Sequence, residues 1–200
     1  MVQMNKTTSV GTPSAAACAG AKVPDAGDLM AVVARYQSPL LRYVGQMLGR
    51  VDHEAEDIVQ EAFIRLHSQV AGHGPGSVRH LTTWLFRVTH NLTLDTLRQR
   101  QRRSRVAQSG AESGSLAEEQ VADELDALGE VIRMEAREVA LRELAQMDGD
   151  LRQVLLLKIT QEMTLREVAE VVGVSLSTVN YRLNRGMTEL ARRLRRAGVV

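Results

Sequence analysis

The chain has 200 residues, is 44% hydrophobic and 24% charged, and carries a formal net charge of +1, which supports one medium core or two small ones. Aromatics at 3% leave the core aliphatic and turn the reading away from a β-sandwich towards helices, because strands favour aromatic and β-branched side chains. The single cysteine, Cys18, excludes an internal disulfide and a cysteine-based zinc site; no run of about 18 apolar residues marks a membrane span; and without the continuous apolar stretch of a signal peptide the expected location is the cytosol.

Residues 1–27 are rich in Thr, Ser, Ala and Gly and read as a flexible tail. Asp28 is placed to cap a first helix, in which Leu29, Val32, Val33, Tyr36, Leu40, Leu41, Val44 and Leu48 recur at three- and four-residue steps. Pro39 is expected to kink or split that helix, and Gly49 to end it. Asp52 caps a second helix with Ala55, Ile58, Val59, Ala62, Phe63 and Leu66 on its buried face and the acids outward. Ala71 to Ser77, with three glycines and a proline, reads as a loop. A third helix follows over Leu81–Arg103, capped by Thr82 or Thr83, with Leu81, Trp84, Leu85, Val88, Leu92, Leu94 and Leu97 as its apolar stripe.

Ser104 opens a polar linker that grades into an acidic stretch, so that residues 104–134 join the first block (28–103) to a second (135–200). Helix is expected from about Leu116, with a break at Asp148-Gly149-Asp150 and another helix over Leu151–Ile159. Thr164 and Glu167 form a capping box for a helix that ends at Gly173, and Ser175 starts a last one that runs to about Arg196. The fold class is therefore all-α: two small helical domains joined by a flexible acidic linker.

The near-zero net charge conceals segregation. Asp52 to Glu61 and Glu112 to Glu130 carry acids and no Lys or Arg, Arg98 to Arg105 carries five arginines and no acid, and Arg182 to Arg196 carries six arginines against Glu189 alone. A charge run by itself is commonly a solvated helix face, but two separated basic tracts suit two contacts with a polyanion.

Thr164 to Leu183 has the pattern of a helix-turn-helix. Ala169 is small where the helices cross, Gly173 sits where the turn needs a positive φ, and Val168, Val172, Val174, Leu176, Val179 and Leu183 are the expected core of the unit. The remaining face carries Ser177, Thr178, Asn180, Tyr181, Arg182, Asn184 and Arg185, groups suited to base edges and phosphates in a major groove. A helical hairpin that touches only protein is the plainer reading.

Two further motifs narrow the choice: Ala55-Glu-Asp-Ile-Val-Gln-Glu-Ala-Phe-Ile-Arg-Leu66, and Trp84-Leu-Phe-Arg-Val-Thr-His-Asn91 followed by Asp95 and Arg98. With the Leu151–Leu194 segment they resemble the bacterial sigma factors of the compact extracytoplasmic-function type, in the sigma-70 family. The resemblance covers roughly Leu29–Arg103 and Glu135–Leu194. It implies a non-enzymatic subunit that binds core RNA polymerase and directs initiation by recognising the −10 and −35 promoter elements, subject to an anti-sigma factor. On this chain the resemblance assigns core-polymerase docking to Asp52, Glu54, Glu56, Asp57, Gln60 and Glu61, where rim charges steer encounter and set register. It assigns −10 DNA to Arg79, His80, Arg87, Asn91, Arg98, Arg102 and Arg103, since holding opened strands needs a pocket for an unstacked base and cations along the backbone. It assigns −35 DNA to Ser175, Ser177, Thr178, Asn180, Tyr181, Arg182 and Arg185. The acidic linker would thread towards the RNA exit path. Trp84 reads as core rather than a stacking platform because it lies on the apolar stripe. Asn180 and Tyr181 stand where lysine and serine are common in the family, so the resemblance carries over the docking mode and not the exact −35 sequence.

The competing reading is a stand-alone helix-turn-helix regulator of double-stranded DNA, which leaves the Trp84–Arg98 motif without a role. An enzyme has no support: there is no P-loop, no Ser/His/Asp set, and His80 and His90 lack companions at metal-ligand spacing, so no metal and no cofactor is expected.

Overall fold

A computed structural model describes residues 28–106 and 127–198, all of whose regular structure is helical. The chain runs α1 (Leu29–Leu48), α2 (His53–His73), a short 3-10 turn (Pro75–Ser77), α3 (Leu81–Val106), α4 (Ala127–Ala145), α5 (Gly149–Leu155), a π-turn (Leu156–Thr160), α6 (Leu165–Val172) and α7 (Leu176–Arg196). The expected tail and most of the linker, including Glu112, Glu118, Glu119, Asp123, Glu124 and Asp126, lie outside the described residues.

Local chemistry sets the helix ends as the sequence indicates. Asp28 accepts from the Ala31 N–H at 3.1 Å and Asp52 from the Ala55 N–H at 3.2 Å, satisfying donors that a helix start leaves open. Gly49 takes φ 78° at the end of α1, a left-handed conformation that costs glycine nothing. Of the two outcomes expected at Pro39, a kink or a split, the split does not occur: α1 runs through it unbroken. It removes one backbone donor, but Tyr36, Leu40, Tyr43 and Val44 on either side of it are all buried, and such tertiary packing holds a helix through a local defect.

Other elements also depart from expectation. Helix α2 continues through Ala71, Gly72 and His73, so the loop is only Gly74 to His80. Thr82 and Thr83 lie inside α3 rather than capping it: the Thr82 hydroxyl meets the Tyr36 hydroxyl at 2.7 Å, and Thr83 is buried. The innermost face of α3 is Leu85, Phe86, Thr89, His90 and Thr93, while Trp84, Val88, Leu92, Leu94 and Leu97 are only half-buried. Thr93 finds its partner within the helix, its hydroxyl donating to the Thr89 carbonyl at 2.8 Å, whereas the buried Thr89 hydroxyl has no hydrogen-bond partner. The helix expected over Leu151–Ile159 becomes α5 and the π-turn, and in the helix-turn-helix Leu176 is 44% exposed while Val171 takes its place in the core.

One core runs through both blocks. Helices α1, α2 and α3 pack on one another, α5, α6 and α7 do the same, and α3 lies against α6 across the boundary. Tyr43, edge-on to Phe86 with ring centroids 5.7 Å apart, meets His90 Nδ1 at 2.8 Å in the first block.

Candidate functional site

Three surfaces carry the residues singled out in the sequence. The first is α2 with its neighbour α1. Asp52 and Glu54 begin α2 and are tied down: Asp52 pairs with Arg50 at 2.5 Å, and Glu54 pairs with Arg100, which reaches back from α3. Arg100 is held below the usual guanidinium range, first by burial, then by the neighbouring Arg50 charge. Asp52 and Glu54 are therefore largely internal fasteners. Glu56, Asp57 and Gln60 are exposed, and Glu61 makes an ion pair with Arg65 at 2.8 Å. Between α1 and α2 runs a groove of about 500 Å³ with Leu29, Val33, Leu41 and Phe63 among its apolar residues, and Glu56 and Gln60 also line it. Sequence reasoning found the acids and missed the groove, because its apolar residues read as ordinary core positions of two separate stripes.

The second surface is α3 and the turn before it. Arg79 and His80 are exposed in the turn. Arg87, Asn91, Arg98 and Arg102 are all exposed and follow at steps of four, seven and four residues, which puts them along one side of the helix. Arg103 is exposed but off that line. Arg98 bonds Asp95 at 3.0 Å, and Arg87 pairs with Glu170 of α6 at 3.6 Å. Trp84 precedes Arg87 by one turn, half-buried against the core.

The third surface is the helix-turn-helix. Thr164 and Glu167 complete their capping box: the Thr164 N–H donates to the Glu167 carboxylate at 2.8 Å, and the Glu167 N–H donates to the Thr164 hydroxyl at 3.3 Å. Gly173 turns the chain at φ 73°, and Ser175 caps α7 by accepting from the Thr178 N–H at 3.2 Å. Ser175 and Thr178 thus spend their polar groups on the helix start. Ser177, Asn180, Tyr181, Asn184, Arg185 and Thr188 are exposed on α7. Arg185 donates to the Tyr181 hydroxyl at 3.2 Å, whereas Arg182 turns to Asp150 of α5. A groove of about 670 Å³ runs beside this face between Asp148, which caps α5, with Leu151 of α5, and Tyr181, Arg185 and Thr188 of α7.

Among the described residues, no three His, Cys, Asp or Glu side chains come together to hold a metal ion, and no helix is long and apolar enough to cross a membrane.

The Sigma-70 region 2 family matches residues 32–103, and the Sigma-70 region 4 family matches residues 137–190. The chain is 32% identical over 168 residues to the ECF RNA polymerase sigma factor SigW of Bacillus subtilis (strain 168), covering 82% of this chain and 87% of that one. It is 31% identical over 181 residues to the ECF RNA polymerase sigma factor SigG of Mycobacterium tuberculosis, covering 82% of this chain but only 48% of the relative. A solved structure, the sigma factor RpoE in complex with the anti-sigma factor NepR from Bartonella quintana, superposes with a TM-score of 0.67 at 17% identity over 84% of this chain and 97% of that one, which supports the fold. With both regions matched in order on two helical blocks, and a relative of similar length aligned through most of each chain, this protein belongs to the extracytoplasmic-function RNA polymerase sigma factors.

Proposed function

We propose that this sigma factor docks on core RNA polymerase through the exposed part of α2 and the α1–α2 groove, and places its two blocks on the two promoter elements. Glu56, Asp57, Gln60 and Glu61 supply the charged and polar rim of that dock, and the groove its apolar floor. Arg79 and His80, in the turn before α3, sit where an unstacked −10 base would be pocketed. Arg87, Arg98 and Arg102 line one side of α3 for the backbone, with Asn91 among them offering a donor and an acceptor to a base edge. Helix α7 offers Ser177, Asn180, Tyr181 and Arg185 to the −35 duplex. The protein acts by binding and contributes no catalytic step of its own.

The observation that carries this reading is the alignment of Arg87, Asn91, Arg98 and Arg102 on one side of α3, a feature a stand-alone duplex regulator would not need. An anti-sigma protein is the expected antagonist: a partner that favours the contact between α3 and α6 would keep the two DNA-facing helices in one compact unit, away from widely spaced promoter elements.

Run-off transcription tests the whole reading. Added to core polymerase lacking other sigma factors, the full chain should produce a discrete transcript from a template carrying both elements, with steep salt dependence. A regulator of another kind would bind duplex DNA and leave core polymerase unable to start at a defined site.

A further inference from the structure

We infer that Arg182 is the latch that seats α7 on α5, with Asp150 as its partner, and that it is a positioning residue rather than a DNA contact. The inference rests on reading α7 as the duplex-reading helix and reassigns work within it.

The faces of α7 separate the two arginines. Val179, Arg182, Gly186 and Leu190 follow at steps of three and four residues; Val179, Gly186 and Leu190 are buried. At Gly186 α5 comes close: a Cβ there would lie 3.0 Å from Leu155 Cδ1. Arg182 continues this packing side, and its side chain is only 20% exposed. Its guanidinium donates to Asp150 Oδ2, while Asp150 Oδ1 accepts from Gln153 Nε2 at 3.2 Å, and Gln153 is itself buried. The carboxylate is thus held at one oxygen by Gln153 and at the other by Arg182, and a charge-assisted pair of that kind carries orientation as well as energy. To reach a phosphate, Arg182 would have to abandon that carboxylate and leave the α5 side of its helix.

Arg185 is placed differently. It lies with Ser177, Tyr181, Asn184 and Thr188 on the exposed side, and the partner of its Nη1 is the neutral Tyr181 hydroxyl at 3.2 Å, which leaves its charge to be used elsewhere. A guanidinium held by one hydroxyl, with its other donors outward, is suited to the O6 and N7 acceptors of a guanine. Base discrimination therefore falls to Arg185, with Tyr181 orienting it, and Arg182 fixes the angle at which both are presented.

The test uses the full chain assembled with core polymerase, on templates with a fixed −10 element and a randomised −35 element, together with promoter affinity measured over a range of salt. Arg182→Ala and Asp150→Asn should each lower initiation by about three- to tenfold, and the double variant should be no worse than the poorer single one, as for two halves of one interaction. Both should keep the wild-type base preferences and the wild-type slope of log affinity against log salt. Arg185→Ala should instead flatten the preference at one −35 position. Arg182→Asp combined with Asp150→Arg should recover part of the initiation that Arg182→Asp alone loses, which no phosphate contact would allow. The inference is overturned if Arg182→Ala flattens a base position, if it lowers the salt slope by about one unit as a lost phosphate contact would, or if Asp150→Asn is silent where Arg182→Ala is not. A wild-type holoenzyme that selects no −35 sequence at all would instead overturn the reading of α7 on which the inference rests.

Discussion

Arg87 of α3 meets Glu170 of α6 across the boundary between the two helical blocks, Nη1 to Oε1 at 3.6 Å. The same Arg87 stands on the α3 side proposed for the opened −10 strand, so one arginine serves the closed arrangement or the DNA. Both side chains are close to half exposed, at 44% and 49%, and such a pair contributes about 0–1 kcal/mol; the packing of α3 on α6 carries most of the contact. Glu170→Arg replaces this attraction with repulsion and should shift the balance towards separated blocks by up to about 1 kcal/mol at low salt. Small-angle scattering should report a larger radius of gyration, and adding Arg87→Glu should reverse the change. A scattering curve that Glu170→Arg leaves untouched at low salt would show that the pair plays no part in holding the blocks together.

His90 gives the first block an acid limit. Its Nδ1 faces the Tyr43 hydroxyl at 2.8 Å, its Nε2 has no hydrogen-bond partner, and burial, aided by the Arg98 charge, lowers its pKa from 6.5 to about 4. The folded state keeps this imidazole neutral where the unfolded chain protonates it. Stability from this residue is therefore complete above pH 6.5 and declines as the pH falls towards about 4. The full loss is on the order of 3 kcal/mol. Thermal midpoints of wild type and His90→Gln should converge as the pH is lowered through that window; parallel profiles would show that His90 does not titrate against the fold.

How much of this could be read beforehand depends on how local the cause is. Caps at Asp28, Asp52, Thr164 and Ser175 and the turn at Gly173 were legible because each is decided within four residues. The inner face of α3 was not, since its threonines and His90 are buried by partners from other helices: Tyr43, 47 residues away, lends His90 a hydroxyl that no periodicity records. The α7 face was legible as a polar stripe, but the sequence grouped Arg182 with Arg185. Only the position of Asp150, 32 residues upstream, separates them. The α1–α2 groove was invisible for a related reason: its lining is shared between the two helices, and depth is a property of the pair.

Gly186 shows the same dependence in a form that can be measured. It sits in the middle of α7, where glycine is ordinarily unfavourable by about 1 kcal/mol relative to alanine, and the space a side chain would need is taken by the buried Leu155. Gly186→Leu should push α7 off α5 and destabilise the second block by about 1–3 kcal/mol. Because α7 would also lose its seat, −35-dependent initiation should fall more than initiation from a template opened in advance at −10. A Leu variant as stable as wild type would show that α5 and α7 can separate without loss.

The acids of α2 should divide into two classes under mutation. Glu56 and Asp57 are exposed, Glu56 lines the groove, and Glu56 makes only an exposed contact with His53 at 3.3 Å. Charge reversal at Glu56 or Asp57 changes the dock without changing what holds the helix, so Asp57→Arg should weaken binding to core polymerase by about tenfold at low salt, less at high salt, and leave the thermal midpoint in place. Glu54 behaves otherwise. It holds Arg100, whose side chain is 28% exposed, and Arg100 keeps the end of α3 against the start of α2. Glu54→Ala leaves that guanidinium without its main partner and should cost about 1–2 kcal/mol of stability, while polymerase binding at a temperature well below the midpoint changes little. Calorimetry and co-elution with core polymerase on the same two variants separate the effects. If Glu54→Ala abolished binding with an unchanged midpoint, Glu54 would belong to the dock and its bond to Arg100 would be incidental.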